Sequence, residues 1–146
     1  MTTISVAIPV YNRAHWISQT LESIWAQERR PDEVVICDDG STDDLDKTLE
    51  PFGQNIKLVR IENSGAAMAR KTAIEHATGE WIALCDSDDR WQRDHLRCFL
   101  EALETKPQFD FYFANFIAGD NPNDSKFNHA KGAWDLLKPD SDKEST

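Results

Sequence analysis

Eight aspartates fall in two short stretches, and their spacing is the strongest chemical signal in the chain. Asp38, Asp39, Asp43, Asp44 and Asp46 make the first stretch, and Asp86, Asp88 and Asp89 make the second. Each follows an apolar run, Val34-Val35-Ile36-Cys37 in one case and Trp81-Ile82-Ala83-Leu84-Cys85 in the other. Carboxylates brought close together repel one another, so a site that gathers them needs a compensating charge. A hard divalent cation, Mg²⁺ or Mn²⁺, shared between carboxylates and a ligand's phosphates suits that need. The same residues also have plainer uses. Asp-Asp-Gly-Ser after a strand makes an ordinary turn and helix cap, and Asp86-Ser87-Asp88-Asp89 can cap the helix that follows. Turn chemistry explains either stretch alone more easily than both at strand ends of one small domain.

The net charge of −10, from 26 acidic and 16 basic residues, is concentrated in the same two places. Residues 1–119 hold 20 acids and 12 bases, and the eight aspartates account for the whole difference. Binding nucleic acid through its phosphates requires clustered Lys and Arg, which this pattern lacks. A phosphate ligand that brings its own cation is not excluded. Cys37, Cys85 and Cys98 are an odd set without the close Cys or His spacing of a zinc site. They read as buried small hydrophobes in a reducing compartment. His15, His76, His95 and His129 share no spacing and read as surface or helix-end residues. No apolar run approaches the roughly 20 residues of a membrane span, and the N-terminus lacks the order of a secretory signal. The chain reads as cytoplasmic, with the inner face of the membrane as the other location considered.

The elements that must position these acids alternate. Ile4 to Val10 is an almost continuously apolar, β-branched run, as expected of a strand buried on both faces. Trp16, Ile17, Leu21, Ile24 and Trp25 then recur at helical spacing, with both tryptophans expected in the core. Val34 to Cys37 reads as a second strand, Asp43 to Phe52 as a short helix stopped by Gly53, and Ile56 to Ile61 as a third strand. Gly65 to Ala77 is an Ala-rich helix closed by Gly79, Trp81 to Cys85 a fourth buried strand, and Gln92 to Thr105 an amphipathic helix. Phe109 to Ile117 reads as a fifth strand. This order implies an α/β fold, a mostly parallel sheet with helices on both faces. Residues 120–146 are polar and read as a loosely packed tail after a domain spanning 1–119. In such a sheet ligands bind at the carboxyl ends of the strands, where both aspartate stretches are expected. If their strands are near neighbours, six or more carboxylates meet on one rim.

Four segments in order carry a specific resemblance: Ser5-Val6-Ala7-Ile8-Pro9-Val10-Tyr11-Asn12-Arg13, Val34 to Asp43, Asn63-Ser64-Gly65 with Ala69-Arg70, and Gly79 to Asp89. Over roughly residues 3 to 117 the chain resembles the nucleotide-binding half of inverting glycosyltransferases of family 2, with the GT-A fold. The resemblance implies a nucleotide-diphosphate sugar as donor, a UDP-sugar in the commonest case, with Mn²⁺ or Mg²⁺ as cofactor. It implies that Pro9, Val10 and Tyr11, with Arg13 close by, border the base and ribose, and that Asp39, with Asp38 beside it, accepts a hydrogen bond from the base. Asp86-Ser87-Asp88 then corresponds to the family's Asp-x-Asp. Asp86 lies toward the ribose, Ser87 counts among the nucleotide-binding residues, and Asp88 with Asp89 lies on the metal. Arg70 becomes a charge partner near the nucleotide, or else a surface arginine paired with Glu62 or Glu75. Trp91 either lies against the donor sugar or packs the start of its helix.

The acceptor, a saccharide, lipid-linked or protein hydroxyl in cell-envelope or related assembly, is not named by these motifs. Two departures from the family's pattern stand out. Lys71 replaces the Asn often found after the Ala-Arg pair. An inverting transfer also needs a general base, and Asp120, Asp124 and Asp135 are available acids that stand in no recognisable base motif. A nucleotide-sugar-binding module without catalysis is therefore one alternative. A nucleotidyltransferase is a second, although Tyr11-Asn12-Arg13 offers no Gly-rich, basic triphosphate loop. A flavodoxin-like receiver domain also gathers acids around Mg²⁺, but it would want an acidic pair where Tyr11-Asn12-Arg13 stands.

Overall fold

The computed structural model describes residues 1–114. In chain order these form β1 (Ile4–Val10), α1 (Ala14–Trp25), β2 (Glu33–Asp38), α2 (Leu45–Leu49), a 3₁₀ segment (Glu50–Asn55), β3 (Lys57–Arg60), α3 (Ala66–Glu75), β4 (Trp81–Leu84) and α4 (His95–Thr105). Met1–Asp94 is one compact unit, and a second begins at His95. No helix among the described residues is long and apolar enough to cross a membrane.

In the first unit the four strands lie in the order β3-β2-β1-β4, every pair parallel. Right-handed crossovers then decide which face each helix covers. β1, β2 and β3 step one way across the sheet, which puts α1 and α2 on one face. The chain returns past β1 to reach β4, which puts α3 on the other. The two core clusters agree. Val6, Ile8 and Val10 of β1 pack with Ile17, Leu21 and Ile24 of α1, whereas Ala7, Val35 and Cys37 pack with Ala69 and Ala73 of α3. The second interface is built from small side chains, so α3 lies close to the sheet.

The strand order also creates the crevice. β1 and β4 are neighbours whose following loops both start at the carboxyl edge of the sheet, the edge where open α/β sheets bind ligands. The β1–β4 ladder stops at Ala7↔Leu84, while β1 and β2 stay paired to Val10↔Asp38. Ala7 accepts the Cys85 N–H on the β4 side and Val10 accepts the Asp39 N–H on the β2 side. By that alternation Pro9 lacks its N–H on the β4 side, just past the last ladder pair. A proline is therefore tolerated in a central strand here, because no ladder bond is forfeited.

The opposite rim is stitched across long stretches of sequence. The Ser5 hydroxyl donates to Glu33 (2.6 Å) and accepts the Gly79 N–H (2.8 Å), while Thr78 donates to the same Glu33 carboxylate through both its N–H and its hydroxyl. Burial raises the Glu33 carboxyl, but those bonds and the charge of Lys57 outweigh it and leave it below the ordinary range. Asp32 is lowered chiefly by the Ile4 N–H, against burial, with Arg29 assisting. Gly79 is dictated by proximity, since a Cβ there would stand 2.6 Å from the Ser5 backbone nitrogen.

Several expectations need correction. β4 is half-exposed, with Ile82 and Leu84 open to solvent, because among the described residues it pairs only on its β1 side. Residues 109–114 carry no strand, and 115–117 lie outside the described residues. The predicted helix from Asp43 to Phe52 is shorter. Pro51, which lacks the amide proton that would extend the helical ladder, follows the end of α2 at Leu49 and lies in a 3₁₀ segment, although Glu50 before it keeps helical angles. Trp16 is 44% exposed and is not a core residue, whereas Trp25 packs against the core as expected. The 120–146 tail, with Asp120, Asp124 and Asp135, and the boundary at 119 lie outside the described residues. In the second unit α4 buries Leu96, Cys98, Phe99 and Ala102, and Phe99 meets Tyr112 edge-on at 5.6 Å.

Candidate functional site

The two aspartate stretches lie on the same rim of the sheet, but β1 stands between their strands. They are used differently. Asp38 is buried. Its Oδ1 accepts the Ser41 N–H at 2.8 Å, closing the turn, and its Oδ2 meets Arg60 Nε at 3.3 Å. Asp39 is 2% exposed, with Oδ1 accepting the Ser64 N–H at 2.7 Å and Oδ2 the Gly65 N–H at 2.9 Å. Those two amides lead into α3, where Gly65 takes φ +91° and ψ 156°, a region open to essentially no other residue. Asp43 Oδ2 accepts the Ala14 N–H at 2.9 Å and so caps α1 from a distant loop. Asp46 pairs with Arg60. The first stretch is a joint that ties the loops after β1, β2 and β3 together.

Asn12 completes that joint. It holds φ +50°, a left-handed conformation that Asn tolerates better than most residues. Its Oδ1 accepts the Thr42 N–H at 2.8 Å, and its own N–H donates to Ser41 Oγ at 3.0 Å. Arg13, next in sequence, is thereby aimed into the crevice. Its Nε lies 3.6 Å from Asp88 Oδ2, with both side chains about half-exposed. From the other face Arg70 of α3 reaches Asp86, Nη2 to Oδ1 at 2.6 Å. Neither Glu62 nor Glu75 is its partner, and Glu75 pairs with Lys71 instead.

The second stretch carries charge that the protein leaves partly uncompensated. Asp86, Asp88 and Asp89 are exposed, while Ser87 between them is buried. Burial, then the neighbouring Asp86 and Asp88, push the Asp89 carboxyl above its ordinary value. Burial pushes the Cys85 thiol far up, with Asp89, Asp86 and Asp88 adding to it. Cys37 is raised by burial, then by Asp39 and Asp38. Both cysteines are buried, unpaired and held as thiols, as their positions under the aspartates led one to expect.

Among the described residues no group of three or more His, Cys, Asp or Glu side chains is placed to hold a metal by itself. The expected meeting of six or more carboxylates as one cluster does not occur, since the first stretch is taken up by backbone amides and Arg60. A divalent cation still fits the second. Two adjacent hard carboxylates in a region of surplus negative charge suit an ion that takes its other ligands from phosphate and water.

Of the residues singled out in the sequence, Arg13, Arg70, Asp86, Ser87, Asp88 and Asp89 come together around the β1–β4 crevice. Pro9 and Val10 are buried residues at the end of β1, Val10 in the core with α1, and Tyr11 just after them is 45% exposed. Asp38 and Asp39 are buried one strand away. Trp91 is partly buried against the core. Arg60, Asn12 and the capping role of Asp43 escaped the sequence, because their partners lie in other loops and follow no local spacing.

A family model for glycosyl transferase family 2 matches residues 5–143. TuaG of Bacillus subtilis, named for teichuronic acid biosynthesis, is 39% identical over 132 residues, which cover 87% of this chain and 52% of that protein. WfgD of Escherichia coli, a UDP-Glc:alpha-D-GlcNAc-diphosphoundecaprenol beta-1,3-glucosyltransferase, is 36% identical over 127 residues, 85% of this chain and 50% of that one. The chain thus spans about half the length of these curated relatives. Among solved structures, Staphylococcus aureus TarS in complex with UDP-GlcNAc superposes with a TM-score of 0.65 at 30% identity, covering 70% of this chain and 31% of that one. The mannosyltransferase PcManGT of Pyrobaculum calidifontis, in complex with GDP-Man and Mn²⁺, gives 0.66 at 30% identity over 84% and 37%.

Proposed function

The chain belongs to glycosyl transferase family 2, with the GT-A-like α/β fold of its structural neighbours, and from that premise we propose that it forms the donor-binding part of an inverting hexosyltransferase. The donor is a nucleotide-diphosphate sugar, a UDP-sugar first among the candidates. The observation that carries the reading is the crevice between β1 and β4, where two carboxylates each face an arginine: Asp88 with Arg13 and Asp86 with Arg70. Two positive and three negative side chains converge where the fold opens, and none of them is fully desolvated. A ligand carrying a diphosphate and a cation can take over both sets of partners.

In this reading Pro9, Val10 and Tyr11 border the base and ribose. Asp39, with Asp38 behind it, uses lone pairs left over from its two backbone amides to accept from the base, since a carboxylate offers about four. Asp86 and Ser87 face the ribose, and Asp88 with Asp89 would hold Mn²⁺ or Mg²⁺. When bound, that ion supplies Lewis-acid neutralisation of the diphosphate leaving group. The chain's own contribution is to bring Arg13 and Arg70 to the diphosphate, so that two fixed positive charges face the group that departs. The acceptor in this reading is a lipid-linked saccharide in cell-envelope polysaccharide assembly, met at the inner membrane face, and no residue is assigned as the base that takes its proton.

Calorimetric titration of UDP, UDP-GlcNAc and GDP-mannose with and without Mn²⁺, in the native chain and in Asp88→Ala, tests the proposal. Metal-dependent binding that Asp88→Ala weakens supports it. A native chain that binds none of these nucleotides with Mn²⁺ present overturns it. Binding without hydrolysis or transfer to any acceptor supports a donor-binding module instead.

A further inference from the structure

α1 carries two stripes. Ile17, Leu21 and Ile24 face the sheet, as their spacing predicts. Beside them runs a second line, Thr20 and Ser23 on the helix and Gln27 just past its end, at intervals of three and four residues. These are polar, yet Thr20 is 1% and Gln27 4% exposed. A polar group hidden from water is costly unless something satisfies it. Each of the three reaches a backbone atom of the segment that carries the second aspartate stretch, and Ser23 and Gln27 also donate to carbonyls of α1 itself. Thr20 Oγ1 donates to the Ser87 carbonyl at 3.0 Å. Ser23 Oγ accepts the Trp91 N–H at 3.1 Å and donates to the Thr20 carbonyl at 2.7 Å. Gln27 Nε2 donates to the Gln92 carbonyl at 2.6 Å, and the Glu28 N–H donates to the Arg93 carbonyl at 2.9 Å.

The segment from Asp86 to Arg93 has no helix or strand of its own. Within it the Asp89 N–H donates to the Asp86 carbonyl at 3.1 Å, closing a turn. The position of the acidic side chains is therefore set largely from α1. The ridge grips carbonyls and an amide, leaving the Asp86, Asp88 and Asp89 carboxylates turned outward. α1 is in turn fixed at its first turn by Asp43 of the other aspartate stretch. One helix thus registers the two acidic loops against each other, although their strands are not adjacent.

We propose that Thr20, Ser23 and Gln27 are positioning residues that hold the Asp86–Asp89 loop in the geometry needed for metal-dependent nucleotide binding. The proposal rests on the donor-site reading above. It adds residues that contact neither nucleotide nor metal and act only through the loop backbone. Groups of this kind behind a metal site commonly change affinity by about tenfold or more when removed.

The test pairs two measurements on the native chain, Thr20→Val, Thr20→Ser and Ser23→Ala. Thr20→Val keeps the shape and removes the hydroxyl. Thr20→Ser restores the hydroxyl, and Ser23→Ala guards against a Thr20→Val chain that fails to fold. Hydrogen exchange reads the amides of residues 86–91 without ligand, and calorimetry reads Mn²⁺-dependent UDP binding. Thr20→Val and Ser23→Ala should speed exchange in 86–91 relative to the amides of β1 and β2 and weaken Mn²⁺–UDP binding about tenfold. Thr20→Ser should return both to within about twofold of native. A lower melting temperature with unchanged Mn²⁺–UDP affinity would show a merely structural ridge and overturn the inference alone. If the native chain binds no nucleotide with Mn²⁺, the donor-site reading falls and this positioning role falls with it.

Discussion

The two aspartate stretches end neighbouring parts of one sheet and are built from the same side chain, yet they stand in opposite electrostatic conditions. In the first, Asp38 and Asp39 are buried, and every oxygen meets a backbone amide or Arg60. In the second, Asp86 and Asp88 are exposed and each meets one arginine, while Asp89 is pushed up by burial and by its two neighbours. A buried carboxylate is stable only when it is hydrogen-bonded, so Asp38 and Asp39 must serve as scaffold whatever else they offer a ligand. An exposed one can wait for a ligand. Clustered acids alone therefore do not mark a binding site. What marks it is charge that the protein has left partly unbalanced.

That contrast can be broken by substitution. The largest effect is expected at Asp39→Ala, which strips the Ser64 and Gly65 amides of their acceptor. Unfolding in urea should show a loss of about 2–4 kcal/mol, and a loss under about 0.5 kcal/mol would end the view of Asp39 as scaffold. Asp88→Ala should do the reverse. Stability should stay within about 0.5 kcal/mol of native, and Mn²⁺-dependent nucleotide affinity should fall by about tenfold or more. Arg60→Met leaves Asp38 without its cation, and denaturation should show about 1–2 kcal/mol lost with nucleotide affinity unchanged. Neutralising one member of each stretch sharpens the contrast further. Asp38→Asn should lower the melting temperature and Asp89→Asn should raise it slightly at neutral pH and in the absence of metal.

The smallest effect concerns the opposite rim. Asp32 and Glu33 are held below their ordinary values of 3.8 and 4.5. A carboxyl depressed in the folded state adds stability above its unfolded value, and that stability fades as pH falls through the folded one. Glu33→Gln should thus be slightly less stable than native at neutral pH, and the difference should shrink as pH drops from about 4.5 downward. Equilibrium unfolding across that range reads it.

Much of this was legible in the sequence. The apolar runs located the four strands of the described residues to within about a residue, and the Gly-and-acid motifs fell, as expected, in the loops at the carboxyl ends of β2 and β4. What the sequence hid were relations that need a neighbour's position. Trp81-Ile82-Ala83-Leu84 reads as continuously buried, but burial depends on how many strands flank it, which no local pattern encodes. The aromatic stretch from Phe109 suggested a strand because aromatic residues favour strands in general. Thr20 and Ser23 look like any small polar residues on a helix, and only the third dimension shows what they grip. Arg70 was the even case, nucleotide-side or surface-side, and its bond to Asp86 sets it beside the crevice.

Gly79, pressed against Ser5, has a consequence in time rather than in space. Docking β4 on β1 joins Ile4 to Trp81, whereas pairing β1 with β2 joins Ser5 to Glu33. The longer loop closes at greater entropic expense and later. β4 is also the shorter, half-exposed partner, so it is expected to be the last strand to arrive and the first to detach under mild denaturant. When it detaches, the backbone of the loop from Asp86 to Asp89 is left anchored at α1, and its hold beside Arg13 loosens. The chain would then lose its grip on a ligand while most of the sheet still stood, and binding activity would report on the health of a single seam.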